Sequence, residues 1–357
     1  MKSRYSSVIV LCLFALSLGA CKKEKFDSDN SAPVYPVAAI ENLRQAPYLM
    51  GAAINVSTLK NNANYRATVI KEMSSVTGEN AMKMSVISQG RKSYNFADAD
   101  YLVNFAIENK MRVHGHTLIW YKNTPSWITA FSGTKEDWKM LMKEYIQDVV
   151  GRYKDKIASW DVVNEIINDD GSLRDCIWLQ KIGAEYIELA FQYAHEADPK
   201  AVLFYNDYGH EYSQPRRLKA YTIADSLAKK NVPIHGIGLQ MHTSITRAAA
   251  DIRYAITAAA VTGLKIHVSE LDVAVNPNKT LTAFNETVAQ QQKVQYRTAA
   301  KAMMDLPESQ RFGVTMWGVH DPSSWLSANP DWALPFNNLF EKKPAYEGLL
   351  QGIYQAK

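Results

Sequence analysis

Along most of this chain, short runs dense in aliphatic, β-branched and aromatic residues alternate with longer stretches whose apolar positions recur every three or four residues. Eight of the short runs predict strands: MGAAINV (50–56), AMKMSVI (81–87), RVHGHTLIW (112–120), SWDVVNE (159–165), AVLFYND (201–207), GIGLQMHT (236–243), KIHVSELDV (265–273) and GVTMWGV (313–319). The stretches between them predict helices, among them residues 137–153 and 283–306. In the first of these, Trp138, Leu141, Tyr145 and Val149 fall on one helical face. Strand–helix alternation implies a parallel sheet. Eight such units imply an α/β fold of the closed (β/α)8 TIM-barrel kind, a single domain over residues 39–357. An open doubly wound sheet is the alternative. It usually carries a glycine-rich first turn, and NVSTLKNN (55–62) contains no glycine.

The first 38 residues break this rhythm. Lys2 and Arg4 precede SSVIVLCLFALSLGA (6–20), an apolar run too short and wrongly flanked for a membrane span. It predicts a lipoprotein signal peptide over residues 1–20, with Cys21, directly after Gly19-Ala20, as the lipidated first residue. Residues 21–38 are polar, proline-bearing and aperiodic, which predicts a flexible tether after the lipidated cysteine. The expected location is the cell envelope, lipid-anchored to the outer membrane on its periplasmic or outer face. The lipid is then the chain's only membrane contact.

Composition adds bounds to this picture. With 47% hydrophobic and 21% charged residues, the chain has material for a large core and is not broadly disordered. Removal of residues 1–20 takes away Lys2 and Arg4 and no acid, so the formal charge falls from +4 to +2. With no basic stripe, no nucleic-acid partner is expected. Cys12 leaves with the signal and Cys21 takes the lipid, so Cys176 stands alone and no disulfide framework is expected. Nothing around Cys176 in sequence activates a thiolate. A monomer is expected.

Polar residues recur where the predicted strands end. Asn80, at the edge of the second run, and Lys83 are assigned to the second strand, His116 and Trp120 to the third, and Asn164 and Glu165 end the fourth. Asn206 and Asp207 end the fifth, Gln240 and His242 the sixth, Glu270 and Asp272 the seventh. Trp317 lies near the end of the eighth, with Asp321 and Trp325 beyond it. In a (β/α)8 barrel, polar residues converging on the C-terminal rim read as catalytic. Glu165 and Glu270 belong to strands on opposite sides of the mouth, so they can flank a bound substrate, the arrangement that glycoside hydrolysis requires. Trp120, Trp317 and Trp325 offer flat faces for sugar rings, whereas Trp160 and Trp178 read as core.

These same residues carry a family resemblance. GHTLIW (115–120), WDVVNE (160–165), GIGLQMH (236–242), VSELD (268–272) and TMWGVHD with SSW (315–325) resemble the successive strand-end motifs of glycoside hydrolase family 10, the retaining endo-β-1,4-xylanases. ENAMK (79–83) and KKPAYEGLL (342–350) resemble further family stretches, and the likeness runs in order from about residue 45 to 352. It implies that Glu165 is the general acid/base and Glu270 the nucleophile. It implies that Asn164 holds the sugar 2-hydroxyl, and that His242 and Asp272 orient Glu270 and keep it ionised. Glu79, Asn80, Lys83, His116, Trp120, Gln240, Trp317 and Trp325 match residues lining the glycone subsites. The chain departs from the family pattern at Met84, Tyr121, Asn123, Gly209-His210-Glu211, His320 and Leu326, none of them a proposed catalytic carboxylate.

The implied activity is an endo-1,4-β-xylanase acting on xylan or xylo-oligosaccharides through a covalent glycosyl-enzyme, with the carboxyls about 5–5.5 Å apart. One glutamate is then expected to titrate high and the other low. No cofactor and no metal are required. Three rival readings remain at this point. His114 and His116 on one strand face, with His242 and Asp321, also suggest a metal-dependent hydrolase. A β-1,4-glucanase or other xyloside-active glycosidase keeps the chemistry and changes the sugar. A non-catalytic glycan-binding lipoprotein keeps the barrel and loses the reaction.

Overall fold

The computed structural model describes residues 41–328 and 330–354; the signal, the lipidated Cys21 and the tether expected over residues 1–38 lie outside them. Eight parallel strands form the wall: β1 (Leu49–Ile54), β2 (Ser75–Gly78), β3 (Arg112–Gly115), β4 (Ser159–Asn164), β5 (Val202–Asp207), β6 (Gly236–Leu239), β7 (Lys265–Ala274) and β8 (Arg311–Met316). Each pairs with the next, and β8 closes on β1 with Gly51 opposite Thr315. A major helix follows every strand: α1 (Ala63–Glu72), α2 (Ala97–Glu108), α3 (Lys135–Arg152), α4 (Tyr186–Ala197), α5 (Gln214–Lys229), α6 (Ala249–Ala260), α7 (Glu286–Met304) and α8 (Pro344–Tyr354). The expected TIM barrel is therefore the fold. Among the described residues, no helix is long and apolar enough to cross a membrane.

Strands covered on both faces need apolar residues at nearly every position. β4 is buried throughout, but only Trp160, Val162 and Val163 are apolar; Ser159 and Asp161 are buried against His114 instead. Inside the barrel, toward the strand starts, Phe204 packs on Phe312 with ring centroids 4.4 Å apart, and His267 lies 5.0 Å from Phe312. On the helix side of the wall, Trp160 fills the space left by Gly115, where a Cβ would come 2.1 Å from the indole, and its ring lies 6.5 Å from Tyr153. The half of the barrel nearest the strand starts is thus closed, and the polar residues sit near the other end. On the outside, α3 begins at a reciprocal cap between Thr134 and Asp137 and buries Trp138, Leu141, Tyr145 and Val149, the predicted face.

Three predicted strands need correction. The sixth stops at Leu239, and His242–Ser244 forms a separate short strand beside β7. The second is not residues 81–87 but Ser75–Gly78, and Met84–Ile87 form a single helical turn instead. Asn80 and Lys83 therefore stand on the loop after β2 rather than on the strand. The cause is volume: β2 packs beside Gly51 with small residues and reads as polar, while Met82, Met84 and Ile87 are apolar because they are buried beneath the loop. The third run is split. β3 stops at Gly115, and a separate short strand, Ile119–Trp120, joins β4 with Trp120 opposite Asn164.

Candidate active site

Glu165 is the first residue beyond β4 and adopts φ +54°, a left-handed conformation that a non-glycine residue holds only under constraint. The constraint is visible in its backbone. Its N–H donates to the carbonyl of Asn206 at 2.9 Å, and its own carbonyl accepts from Arg174 Nε at 2.8 Å. Its side chain is buried, and Oε1 accepts from Gln240 Nε2 at 3.3 Å.

Glu270 lies within β7, inside the same rim. Oε1 accepts from Asn206 Nδ2 at 2.8 Å, and Oε2 meets His242 Nε2 at 3.1 Å. Asn206 Nδ2 also donates to Asn164 Oδ1 at 2.9 Å, and that oxygen accepts from Gln240 Nε2 at 3.2 Å. One continuous run of amides, Gln240–Asn164–Asn206, therefore joins the two glutamates. Burial would push the Glu270 carboxyl up, but the bond from His242, with His116 nearby, brings it below the ordinary glutamate value. His242 is the reverse case. Burial opposes its charge, yet Asp272 Oδ2 at 2.8 Å from Nδ1 and Glu270 on the other nitrogen raise it well above an ordinary histidine. Trp325 Nε1 donates to the same Asp272 oxygen at 2.7 Å, which fixes the indole beside the pair.

The predicted sugar-contacting residues share one cleft of about 500 Å³. Glu79, Asn80, Lys83, His116, Trp120, Asn164, Gln240, Trp317 and Trp325 line it together with Glu165, Glu270 and His242. Glu79 Oε2 accepts from Asn55 Nδ2 at 3.2 Å, and Lys83 Nζ donates to Asn80 Oδ1 at 3.0 Å. Burial lowers Lys83, and its ammonium lies 5.2 Å from the Trp120 ring and 5.9 Å from Trp317. Asp272 is set back from this cleft and lines an adjoining pocket of about 300 Å³. The two spaces share Tyr212, His242 and Trp325.

Several side chains at the site were absent from the predicted set. Lys122, Tyr208 and Tyr212 line the cleft, and Asn206 and Asp161 stand behind it. Asn206 showed its signal, a polar residue near a strand end. Asp161 lies in mid-strand, and only the three-dimensional arrangement reveals its partners. Its Oδ2 takes His114 Nε2 at 3.0 Å and His116 Nδ1 at 2.9 Å. The histidine pair that suggested a metal site is thus spent on one carboxylate, while Asp321 bonds Lys343 at 3.1 Å. Among the described residues, no group of three or more His, Cys, Asp or Glu side chains is placed to hold a metal ion.

A (β/α)8 barrel with two carboxylates on the rim of a tryptophan-lined cleft is the architecture of a barrel glycosidase. The chain belongs to glycosyl hydrolase family 10, whose sequence pattern matches residues 39–352. It is 36% identical to a β-1,4-xylanase of Dictyoglomus thermophilum over 351 residues, 95% of this chain and 96% of that protein. It is 37% identical to endo-1,4-β-xylanase B of Paenibacillus barcinonensis, covering 84% of this chain and 93% of that one. The crystal structure of xylanase 10B from Thermotoga petrophila with xylobiose superposes with a TM-score of 0.80 at 33% identity, covering 86% and 94% of the two chains.

Proposed function

We infer that this chain is an endo-1,4-β-xylanase that cleaves xylan with retention of configuration, with Glu165 as acid/base and Glu270 as nucleophile. The observation that carries this reading is the pair of buried glutamates tied together through Gln240, Asn164 and Asn206. Glu270, with its charged form favoured by His242, attacks the anomeric carbon. The bond to the glycosidic oxygen breaks as Glu165 gives that oxygen its proton, so the electron pair leaves on a neutral hydroxyl. Glu165, now a carboxylate, takes a proton from the water that displaces Glu270 in the second step. Asn164 Nδ2 is buried without a protein partner, which leaves a donor for the sugar 2-hydroxyl. The pocket beyond Trp325 and His242 extends the groove past the cleft, in keeping with a chain bound on both sides of the cut. Trp317 and Trp325 lie 6.2 and 5.2 Å from the His242 ring, and this reading has them exclude the C5 hydroxymethyl group of a glucose unit.

The test is hydrolysis of xylan and of cellulose oligomers by wild type, Glu165→Ala and Glu270→Ala. Xylan cleavage with little attack on cellulose oligomers is expected. Glu270→Ala should be inactive, and Glu165→Ala should lose about 10²–10⁴-fold on xylan. Preference for cellulose oligomers, or full activity in Glu270→Ala, contradicts the reading.

The run ending LSLGAC supports a lipoprotein form with Cys21 lipidated, residues 1–20 removed and the barrel tethered to the outer membrane. Metabolic labelling with a fatty-acid analogue should mark the full chain and not Cys21→Ala. Equal labelling of both excludes Cys21 as the anchor.

A further inference from the structure

The two oxygens of Glu165 have different surroundings. Oε1 accepts from Gln240, whereas Oε2 is buried and has no hydrogen-bond partner in the protein. Lys122 Nζ stands 3.9 Å from Oε2, and among the described residues Glu165 is the only carboxylate within 4.0 Å of that ammonium. The placement is built into the fold. Lys122 occupies the 3-10 turn Tyr121–Asn123, directly after the short strand in which Trp120 pairs with Asn164, the residue before Glu165. Arg174 fixes the turn from the other side: its guanidinium lies 4.5 Å from the Tyr121 ring, and its Nε holds the Glu165 carbonyl. The ammonium itself lies 5.6 Å from the rings of both Trp120 and Tyr121. The other charged groups near Glu165 have partners of their own. Lys83 bonds Asn80, Asp207 is bound to Arg216, and Glu270 to His242 and Asn206.

We propose that Lys122 is a positioning residue for proton donation, its ammonium stabilising the carboxylate that Glu165 becomes as the glycosidic oxygen takes its proton. The inference rests on the reading of Glu165 as the acid. The step balances: Glu270 forms its bond to C1 as the C1–O bond to the leaving oxygen breaks, the proton passes from Glu165 to that oxygen, and the negative charge left on Glu165 meets Lys122. The lysine is half in water, so the effect belongs at the weak end of the Coulomb range for this separation, about five- to tenfold in rate.

The discriminating experiment varies the leaving group. Xylotetraose needs protonation to depart; a dinitrophenyl β-xylobioside releases a stable phenolate and needs none. For Lys122→Met, kcat/KM on xylotetraose should fall about five- to tenfold while the dinitrophenyl substrate keeps its wild-type value, and Lys122→Arg should restore xylotetraose cleavage. Equal loss on both substrates makes Lys122 a binding or structural residue and overturns the proposal, as does no loss on either. Glu165→Ala is run alongside. If it too loses both substrates equally, the assignment of Glu165 as acid fails; if it loses only xylotetraose while Lys122→Met loses nothing, the inference about Lys122 fails alone.

Discussion

His242 bonds Asp272 through one ring nitrogen and Glu270 through the other, so both nitrogens carry protons and the ring is an imidazolium between two acids. That charge favours the ionised nucleophile. Activity should therefore persist below the ordinary glutamate range, because the lowered Glu270 stays deprotonated there. In His242→Gln the cation is lost while a hydrogen bond can remain. The acid limb of kcat/KM should then move to higher pH, and kcat should fall about tenfold or more. A pH–rate profile checks the sign, and an unmoved acid limb contradicts the assignment. At this scale the sequence is readable where an ionisable side chain falls in the C-terminal part of a predicted strand, as Glu165, Glu270 and His242 do. It is silent on Asp161, which sits in mid-strand and anchors His116, and on Lys122, a lysine on an exposed turn.

Elements place these side chains through what they omit as much as through what they carry. On β6, Gly238 lies opposite Asn206, and a Cβ there would come 2.2 Å from Asn206 Oδ1. The missing side chain is what lets Asn206 turn inward and hold Glu270 and Asn164 together. Gly238→Ala should thus cost about 1–3 kcal/mol in denaturant unfolding and also reduce kcat/KM, by disturbing Asn206. Loss of stability with activity per folded molecule unchanged would show that Asn206 is not held from this side. The same reasoning explains why β2 escaped detection. Ser75, Thr77 and Gly78 are buried yet carry little apolar surface, so periodicity has nothing to register. The methionine-rich run after it was buried for another reason. Long strands such as β4 and β7, buried at nearly every position, were readable almost to the residue.

The whole molecule converts these local choices into a fixed separation between two carboxylates. Closure of β8 on β1 leaves the barrel wall no free edge, and the chain ends reinforce it. Glu72, buried on α1, accepts from Leu43 N at 3.1 Å and from the Tyr346 hydroxyl at 2.7 Å, which ties the first described segment to α8. On such a scaffold β4 and β7 hold their register, and Glu165 and Glu270 stay linked through Gln240, Asn164 and Asn206. Eight strand–helix units and a rim of polar strand ends made this arrangement readable in advance, because barrel topology dictates which ends meet. The amide run between the glutamates was not, since it joins residues 42 to 76 positions apart. The most direct measurement is to trap the intermediate with a 2-fluoro dinitrophenyl β-xylobioside and sequence the labelled peptide by mass spectrometry. The account predicts a single covalent sugar on Glu270 and a β-configured product from the normal substrate. A label on any other residue, or an inverted product, would contradict it.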